Sequence, residues 1–330
     1  MSNTLAVLLV GCGNIAGGYD PGPYATAMPL THAGAYARHG GFTVTACVEP
    51  NDARREAFMR TWRIPMGYRH LEDVSASAHF DVVSICSPTA IHKQQVDAAL
   101  ALRPRLVFCE KPVTPQVHDT EACVARCDAA GVLLAVNHTR RWAPDIISLH
   151  ERLAVGELGT VRSVSGLYNK GVLNNGSHLI DLLHYLIGPL TVVAALAPIA
   201  DALPDDPSVA ALLQADAGGV PVHLRTAHAG DYAVFELEIV TSTGILAMEE
   251  GGFVWRQRTA TDSTSFPGYK KLGAAATSVG LYRNAMAAAV SNIHDTLLNN
   301  EPLRSTGATA LAAQRVCHQL LHLARQTSEP

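Results

Sequence analysis

A continuous apolar run, Leu5–Val10, breaks directly into Gly11-Cys-Gly13-Asn-Ile-Ala16, and no other feature of the chain narrows its fold as much. A strand without polar alternation is buried on both faces, and such strands belong to parallel sheets covered by helices on each side. Four runs of the same type follow: Phe42–Val48, Val82–Cys86, Leu106–Cys109 and Val132–Val136. Helical stretches are read between them at Asn51–Trp62, Ile91–Leu102 and Gln116–Ala130, the last closed by Gly131, with a further short helix at Leu71–Ser75. This alternation predicts an α/β fold, a doubly wound parallel sheet over residues 1–140.

The pattern changes after residue 140. Val161–Lys170, Val192–Pro198, Val209–Asp216, Val222–Ala229, Ala233–Thr241 and Gly244–Glu250 read as strands, several with period-two alternation. Short turns such as Asp216-Ala-Gly-Gly219 and Ser242-Thr-Gly244 favour antiparallel pairing. Helices are expected at Ser177–Ile187, Tyr282–Leu298 and Thr309–Gln326. Residues 141–330 thus form a second, α+β domain, entered by a change of architecture without a flexible linker.

Composition removes several classes of function. With 330 residues and 48% hydrophobic content, the chain has material for two cored domains. A net charge of -4 without blocks of like charge argues against nucleic acid or a membrane as partner, and leaves room for one anionic ligand. No apolar run reaches the roughly 18 residues of a membrane span. The apolar start lacks a basic lead-in and meets a glycine turn at once, so it reads as a strand rather than a signal peptide. Seven scattered cysteines with no C-x-x-C pair fit a reduced, cytoplasmic protein.

The turn after the first strand is a G-x-G-x-x-A fingerprint for a dinucleotide. Gly11 permits the tight turn, Gly13 admits a pyrophosphate to the backbone, with Asn14 and Ile15 beside it, and Ala16 lets the following helix pack on the strand. Glu49, at the end of the second strand, is placed to accept ribose hydroxyls or is a solvated loop acid. In the first role it would repel a 2′-phosphate, which favours NAD over NADP, although Arg54 and Arg55 stand nearby. Glu49 lies 38 positions after Gly11, against roughly 20 in the usual pattern. The excess is a Gly/Pro-rich loop, Gly17–Leu30, ahead of a helix at Thr31–Arg38, and its Tyr19, Asp20 and Tyr24 are candidate substrate contacts. His32, at the start of that helix, is a further candidate for cofactor contact.

Ser87-Pro-Thr89-Ala-Ile-His92 and Glu110-Lys111-Pro112 each follow a parallel strand, at the edge where open α/β sheets bind ligands. Of only five lysines, Lys111 alone sits at a strand end between a buried run and a proline. In the second domain, helical spacing places Asn174, His178 and Asp181 on neighbouring faces. His318 and His322 share a helix face, but no HExxH or partner carboxylate accompanies them, so no metal site is expected. A serine hydrolase elbow is absent as well.

Taken together, GCGNIA, CSPTAIH, CEKP, VNHTRRW (Val136–Trp142) and NNGSHLIDLLHYLIG (Asn174–Gly188) resemble the Gfo/Idh/MocA family of nicotinamide-dependent sugar oxidoreductases, over nearly the whole chain. The resemblance implies a Rossmann domain followed by an α+β domain whose large open antiparallel sheet forms homodimers or homotetramers. It implies that Lys111 hydrogen-bonds the reacting hydroxyl and that His178 is the acid/base. It places Glu110 at the nicotinamide ribose, Ser87, Thr89, His92 and Asn137 with the cofactor, and Arg141 and Trp142 at the border of cofactor and substrate. Many members carry an aspartate where this chain has Asn174, so Asn174 orients substrate or His178, and Asp181 either supplies the missing carboxylate or is a helix-surface acid or ribose contact. The expected reaction is NAD-dependent oxidation of a sugar ring hydroxyl to a ketone. The GCGNIAGGYD loop resembles nucleotide-sugar members that act on C3 of UDP-N-acetylglucosamine. Alternatives are a free-sugar or inositol dehydrogenase, a ketosugar reductase, and a non-catalytic NAD-sensing regulator.

Overall fold

A computed structural model describes residues 4–327. The chain divides into two compact units, one of residues 1–143 with 283–311, the other of 144–282 with 312–330.

The first unit is built on a six-stranded sheet of β1 (Leu5–Val10), β2 (Phe42–Val48), β3 (Met66–Tyr68), β4 (Val82–Ile85), β5 (Leu106–Cys109) and β6 (Leu133–Val136). The order β3-β2-β1-β4-β5-β6 is parallel throughout. Helices α1 (His32–His39), α2 (Asp52–Trp62), α3 (His92–Ala101) and α4 (Val117–Ala129) make the crossovers. Along β1, Leu5, Val7 and Leu9 enter one core cluster and Leu8 and Val10 the other, so an unbroken apolar run serves a sheet covered on both faces. Side-chain caps set helix starts: Thr31 Oγ1 accepts from Gly34 N, and Asn51 Oδ1 from Arg54 N. Past the end of α4, Gly131 takes positive φ, in line with its reading as the closing residue.

β3 was not legible in the sequence, being three residues long and little buried. The stretch Leu71–Asp73 is a single 3-10 turn. The larger difference concerns α7 (Ala285–Asn299), expected in the second domain. Met286, Ala289, Val290 and Ile293 of α7 pack into the cluster that holds Val7, Leu9, Tyr36 and Trp142. The chain therefore returns to cover the first sheet, and a single cut at residue 140 does not describe it.

The second unit opens with α5 (Pro144–Ala154) and β7 (Val161–Tyr168), then α6 (Ser177–Ile187), β8 (Leu190–Ala195), β9 (Ile199–Leu203) and β10 (Asp206–Ser208). It continues with β11 (Ala211–Ala215), β12 (Pro221–Thr226), β13 (Phe235–Thr241), β14 (Gly244–Glu249), β15 (Val254–Asp262), β16 (Lys270–Leu272) and β17 (Ala276–Val279). The last helix, α8 (Gly307–Gln326), begins in the first unit and belongs to the second from Ala312. The main sheet runs β16-β15-β14-β13-β7-β12-β11-β8, with β17 paired to β15, and β9 and β10 form a separate hairpin. The sheet is mixed rather than wholly antiparallel, because β7 and β12 pair in parallel at its centre. A parallel pair needs a long crossover, and the segment carrying α6 and β8 to β11 supplies it.

Candidate functional site

The carboxyl ends of β1, β2, β4 and β5 carry the residues of interest in the first unit, on both sides of the point where strand order reverses. Gly11 has φ +91°, its N–H donates to Val48 O at 2.8 Å, and a Cβ there would meet Ser87 N at 2.8 Å. The fold itself thus demands glycine at position 11. Gly13 differs, since a Cβ there would meet nothing within 4 Å. Its bare backbone borders open space, a cradle of the kind a pyrophosphate needs, so the residues present fit a dinucleotide. The expected helix after the motif is a single π turn, Asn14–Gly18, with Ala16 buried beneath it and Asn14 exposed.

Glu49 is buried, which removes its reading as a solvated acid. Oε2 accepts from Cys12 N at 3.2 Å and Oε1 from Asn51 N at 3.1 Å, so one carboxylate ties the glycine turn to the start of α2. Arg55 donates to Glu49 O at 2.7 Å and pairs with Asp52, whereas the Arg54 guanidinium is more exposed and lies 3.5 Å from Oε1. Asp20, buried, is the staple of the Gly17–Leu30 loop. Its Oδ2 accepts from Thr31 Oγ1 at 2.6 Å and Thr31 N at 3.0 Å. Tyr19 and Tyr24 stay exposed on the same loop.

At the end of β5, Glu110 Oε1 accepts from Asn137 Nδ2 at 2.6 Å and lies 2.9 Å from His32 Nε2. Burial pushes the Glu110 carboxyl up, but hydrogen bonds from His32 and Asn137 and the charge of Lys111 outweigh it and hold the group below its ordinary value. Lys111 follows directly, half-buried, on a cis bond to Pro112. Ser87 and Thr89 are half-buried at the end of β4, where Ser87 Oγ bonds Gln95. His92 does not reach the surface: its ring is fully buried between two backbone carbonyls. Trp142, expected to border a ligand, is also a core residue. Its indole N–H donates to Asn292 Oδ1 at 3.0 Å and its ring meets Phe108 edge-on. Arg140 and Arg141 are buried in the same short turn.

In the second unit, Asn174 sits in a π turn, Gly171–Gly176, that runs into α6, so the three polar residues do not share one regular helix. The turn is held by residues the sequence reading passed over. Asp206 accepts from Leu173 N and Asn174 N, both at 2.8 Å. Gly171 has φ +86° and a Cβ there would overlap the Asp206 carboxylate at 2.1 Å. Ser208 Oγ accepts from Gly171 N, and Asp201 accepts from Ser208 Oγ, Lys170 N and Ala229 N. Burial raises the Asp201 carboxyl, and these hydrogen bonds outweigh it and bring the group below its ordinary value. The only sequence signal was the Asp201-Ala-Leu-Pro-Asp-Asp206-Pro-Ser208 run, a Pro/Asp turn between short segments. His178 is half-buried in the first turn of α6, and Asp181 is buried at 1% exposure, which excludes a helix-surface acid.

Among the described residues no group of three His, Cys, Asp or Glu could hold a metal, and no helix is long and apolar enough to cross a membrane. All seven cysteines are buried.

The Gfo/Idh/MocA model, an oxidoreductase family with an NAD-binding Rossmann fold, matches residues 5–138. D-apiose dehydrogenase of Paraburkholderia graminis is 26% identical over 181 residues, 50% of this chain and 48% of that protein, so the chain spans about half the length of this relative. Among solved structures, an oxidoreductase from Agrobacterium radiobacter in complex with NAD+, L-tartaric acid and magnesium superposes with a TM-score of 0.79 at 16% identity, covering 98% of this chain and 97% of that one. The WlbA dehydrogenase from Bordetella pertussis, in complex with NADH and UDP-GlcNAcA, gives a TM-score of 0.76 at 17% identity, with coverage of 98% and 97%. These likenesses establish the two-part fold and a first unit of the NAD(P)-binding Rossmann type.

Proposed function

We propose that this chain, whose residues 5–138 carry the NAD-binding fold of the Gfo/Idh/MocA oxidoreductases, oxidises a sugar ring hydroxyl to a ketone with NAD as acceptor. One observation carries the reading: Lys111 stands at the carboxyl end of β5 beside a half-buried, hydrogen-bonded Glu110, on the sheet edge that also bears the open Gly13 turn. NAD bound at that edge would supply the acceptor for the hydride leaving the carbon that bears the hydroxyl.

The chain's own groups do the rest. Lys111 donates to the reacting oxygen and stabilises the negative charge that grows on it. His178 takes the hydroxyl proton in oxidation and returns it in reduction, as an imidazole placed beside the hydroxyl can. Asn174, held by Asp206 through its backbone, orients the substrate or His178, and Asp181 orients His178. Glu110 and Asn137 contact the nicotinamide ribose and its surroundings, with Ser87, Thr89 and His92 on the neighbouring strand end. Arg141 borders cofactor and substrate. A 2′-phosphate would face the buried Glu49 carboxylate, which supports NAD as the cofactor.

The substrate we favour is a nucleotide sugar, oxidised at C3 as in UDP-N-acetylglucosamine, with Tyr19 on the long loop contacting it. The likeness to D-apiose dehydrogenase supports a second reading, oxidation of a free sugar. Self-association through the second unit's sheet completes the proposal. Incubating the protein with NAD and a panel of nucleotide sugars, free sugars and inositols, in both directions, decides the matter by NADH absorbance. Reduction of NAD by UDP-N-acetylglucosamine is expected. Turnover of free sugars alone moves the assignment to the second reading. Binding of NAD without turnover of any compound leaves a cofactor-sensing protein.

A further inference from the structure

The long loop between the glycine turn and α1 delivers a histidine to the end of β5, across the reversal of strand order. Asp20 pins the loop's return, accepting from Leu30 N, Thr31 N and Thr31 Oγ1. Thr31 Oγ1 also accepts from Gly34 N and caps α1, so the first helical residue, His32, has a fixed backbone. Its ring lies against Phe108 of β5, with centroids 4.5 Å apart. His32 has no exposed surface, and its Nδ1 meets no hydrogen-bond partner among the described residues. The ring therefore touches no ligand directly, and its polar partner is Glu110.

Glu110 uses its two oxygens unevenly. Oε1 lies 2.9 Å from His32 Nε2 and 2.6 Å from Asn137 Nδ2, whereas Oε2 takes no hydrogen bond among the described residues. Burial opposes the charge on Glu110, but His32, Asn137 and Lys111 outweigh it, so the group is a carboxylate at neutral pH. A carboxylate oxygen only accepts, so both neighbours donate, and together they fill the two lone-pair sites of Oε1. His32 and Asn137 are buried at 0% and 2%, while the Glu110 side chain is 13% exposed. Two donors on one oxygen fix the plane of the carboxylate, and a single donor would let it turn about that one bond.

We propose that His32 is a positioning residue: with Asn137 it occupies Glu110 Oε1 and so presents Oε2 to the hydroxyls of the nicotinamide ribose. The inference rests on the cofactor reading above. It gives the Gly17–Leu30 loop a use in cofactor binding, through the helix start that the loop delivers.

Calorimetric titration of the whole protein with three ligands tests it. NAD and ADP-ribose carry the second ribose, and ADP lacks it. His32→Phe keeps a ring against Phe108 but takes one donor from Glu110. It should weaken NAD and ADP-ribose about tenfold, as loss of a hydrogen bond to a charged group does, with ADP affinity unchanged. His32→Gln, which retains an N–H donor, should recover part of the loss. In a Glu110→Gln background the same His32→Phe change should cost little, because the carboxylate it orients is gone. Should His32→Phe not fold, His32→Gln carries the same comparison of ADP-ribose with ADP. Unchanged NAD affinity in the variant overturns the proposal and leaves the cofactor reading intact. An equal loss of ADP affinity, or an undiminished loss in the Glu110→Gln background, shows general support of the fold and overturns it too. If the parent protein binds none of the three ligands, the cofactor reading fails first and the proposal falls with it.

Discussion

Each unit has a π turn beside a buried carboxylate that takes backbone N–H groups, and the two carboxylates are placed in different ways. After β1, Glu49 reaches back from the neighbouring strand, and its two oxygens take N–H groups from separate segments, Cys12 and Asn51. Ahead of α6, Asp206 takes consecutive N–H groups, Leu173 and Asn174, within a single turn. The first anchor joins the ends of two long-range elements and leaves Gly13 facing open space. The second shapes a local loop and fills the position where Gly171 would carry a side chain. A turn of the first kind presents bare backbone to a ligand, while a turn of the second kind presents side chains, here Asn174 and then His178.

The largest effect that separates the two halves is expected at the reacting groups. Lys111→Ala should reduce kcat for sugar oxidation by about 10²- to 10³-fold, the cost of removing one donor to a developing oxyanion, with NAD affinity retained. Calorimetric titration of NAD alongside the rate assay measures both. An unchanged rate refutes the role of Lys111, and a parallel loss of NAD binding means that the lysine belongs to the cofactor side of the comparison.

Next comes the anchor of the second turn. Asp206→Ala leaves two part-buried N–H groups without their acceptor, at a cost of about 2 kcal/mol. Urea denaturation should show the loss, and hydrogen exchange should quicken at the Leu173 and Asn174 amides first. NAD affinity should stay put while the apparent KM for sugar rises. Equal protection of those amides in variant and parent would show that Asp206 does not hold the turn.

The two glycines of the first turn sharpen the comparison from the other side. Gly13→Ala adds a methyl group to empty space and should alter stability by less than about 1 kcal/mol, while weakening NAD binding about tenfold or more. Gly11→Ala forces a side chain into positive φ and onto the Ser87 backbone, so it should destabilise the fold itself. Should Gly13→Ala bind NAD as the parent does, the open space beside it is not where the pyrophosphate lies.

The same contrast explains what could be read from the chain. The first unit is legible because each buried parallel strand writes its own apolar run, and the ligand edge is simply where those runs stop, at Gly11, Glu49, Ser87 and Glu110. The anchors of the second turn left no such mark. Asp201 and Asp206 lie on strands of five and three residues, too short to write a pattern, and a carboxylate binding backbone N–H groups requires no fixed spacing from the turn it serves. The covering helix α7 was visible as a helix, but its apolar face does not say which sheet it will meet. Trp142 and His92 misled for another reason: neighbours in a motif share a segment without sharing its exposure, and both side chains turn inward.

The smallest expected effect is one of pH, and its sign follows from the Asp201 carboxyl. Hydrogen bonds from Ser208, Lys170, Ala229 and Ala202 favour its charged form and hold its folded value below the ordinary one. In the unfolded chain those donors are gone and the carboxyl returns to its ordinary range. The unfolded state therefore binds a proton first as acid is added, and the stabilisation is complete above the ordinary carboxylate value and lost as pH falls through the lowered one. Asp201→Asn removes the titration, so the acid limb of a stability-against-pH curve should be shallower in the variant than in the parent, with the two curves running parallel above the carboxylate range. Because Asp201 serves the second turn and not the first, NAD affinity measured across the same pH window should change alike in both proteins. A divergence in NAD affinity would tie the two turns together and end the distinction drawn between them.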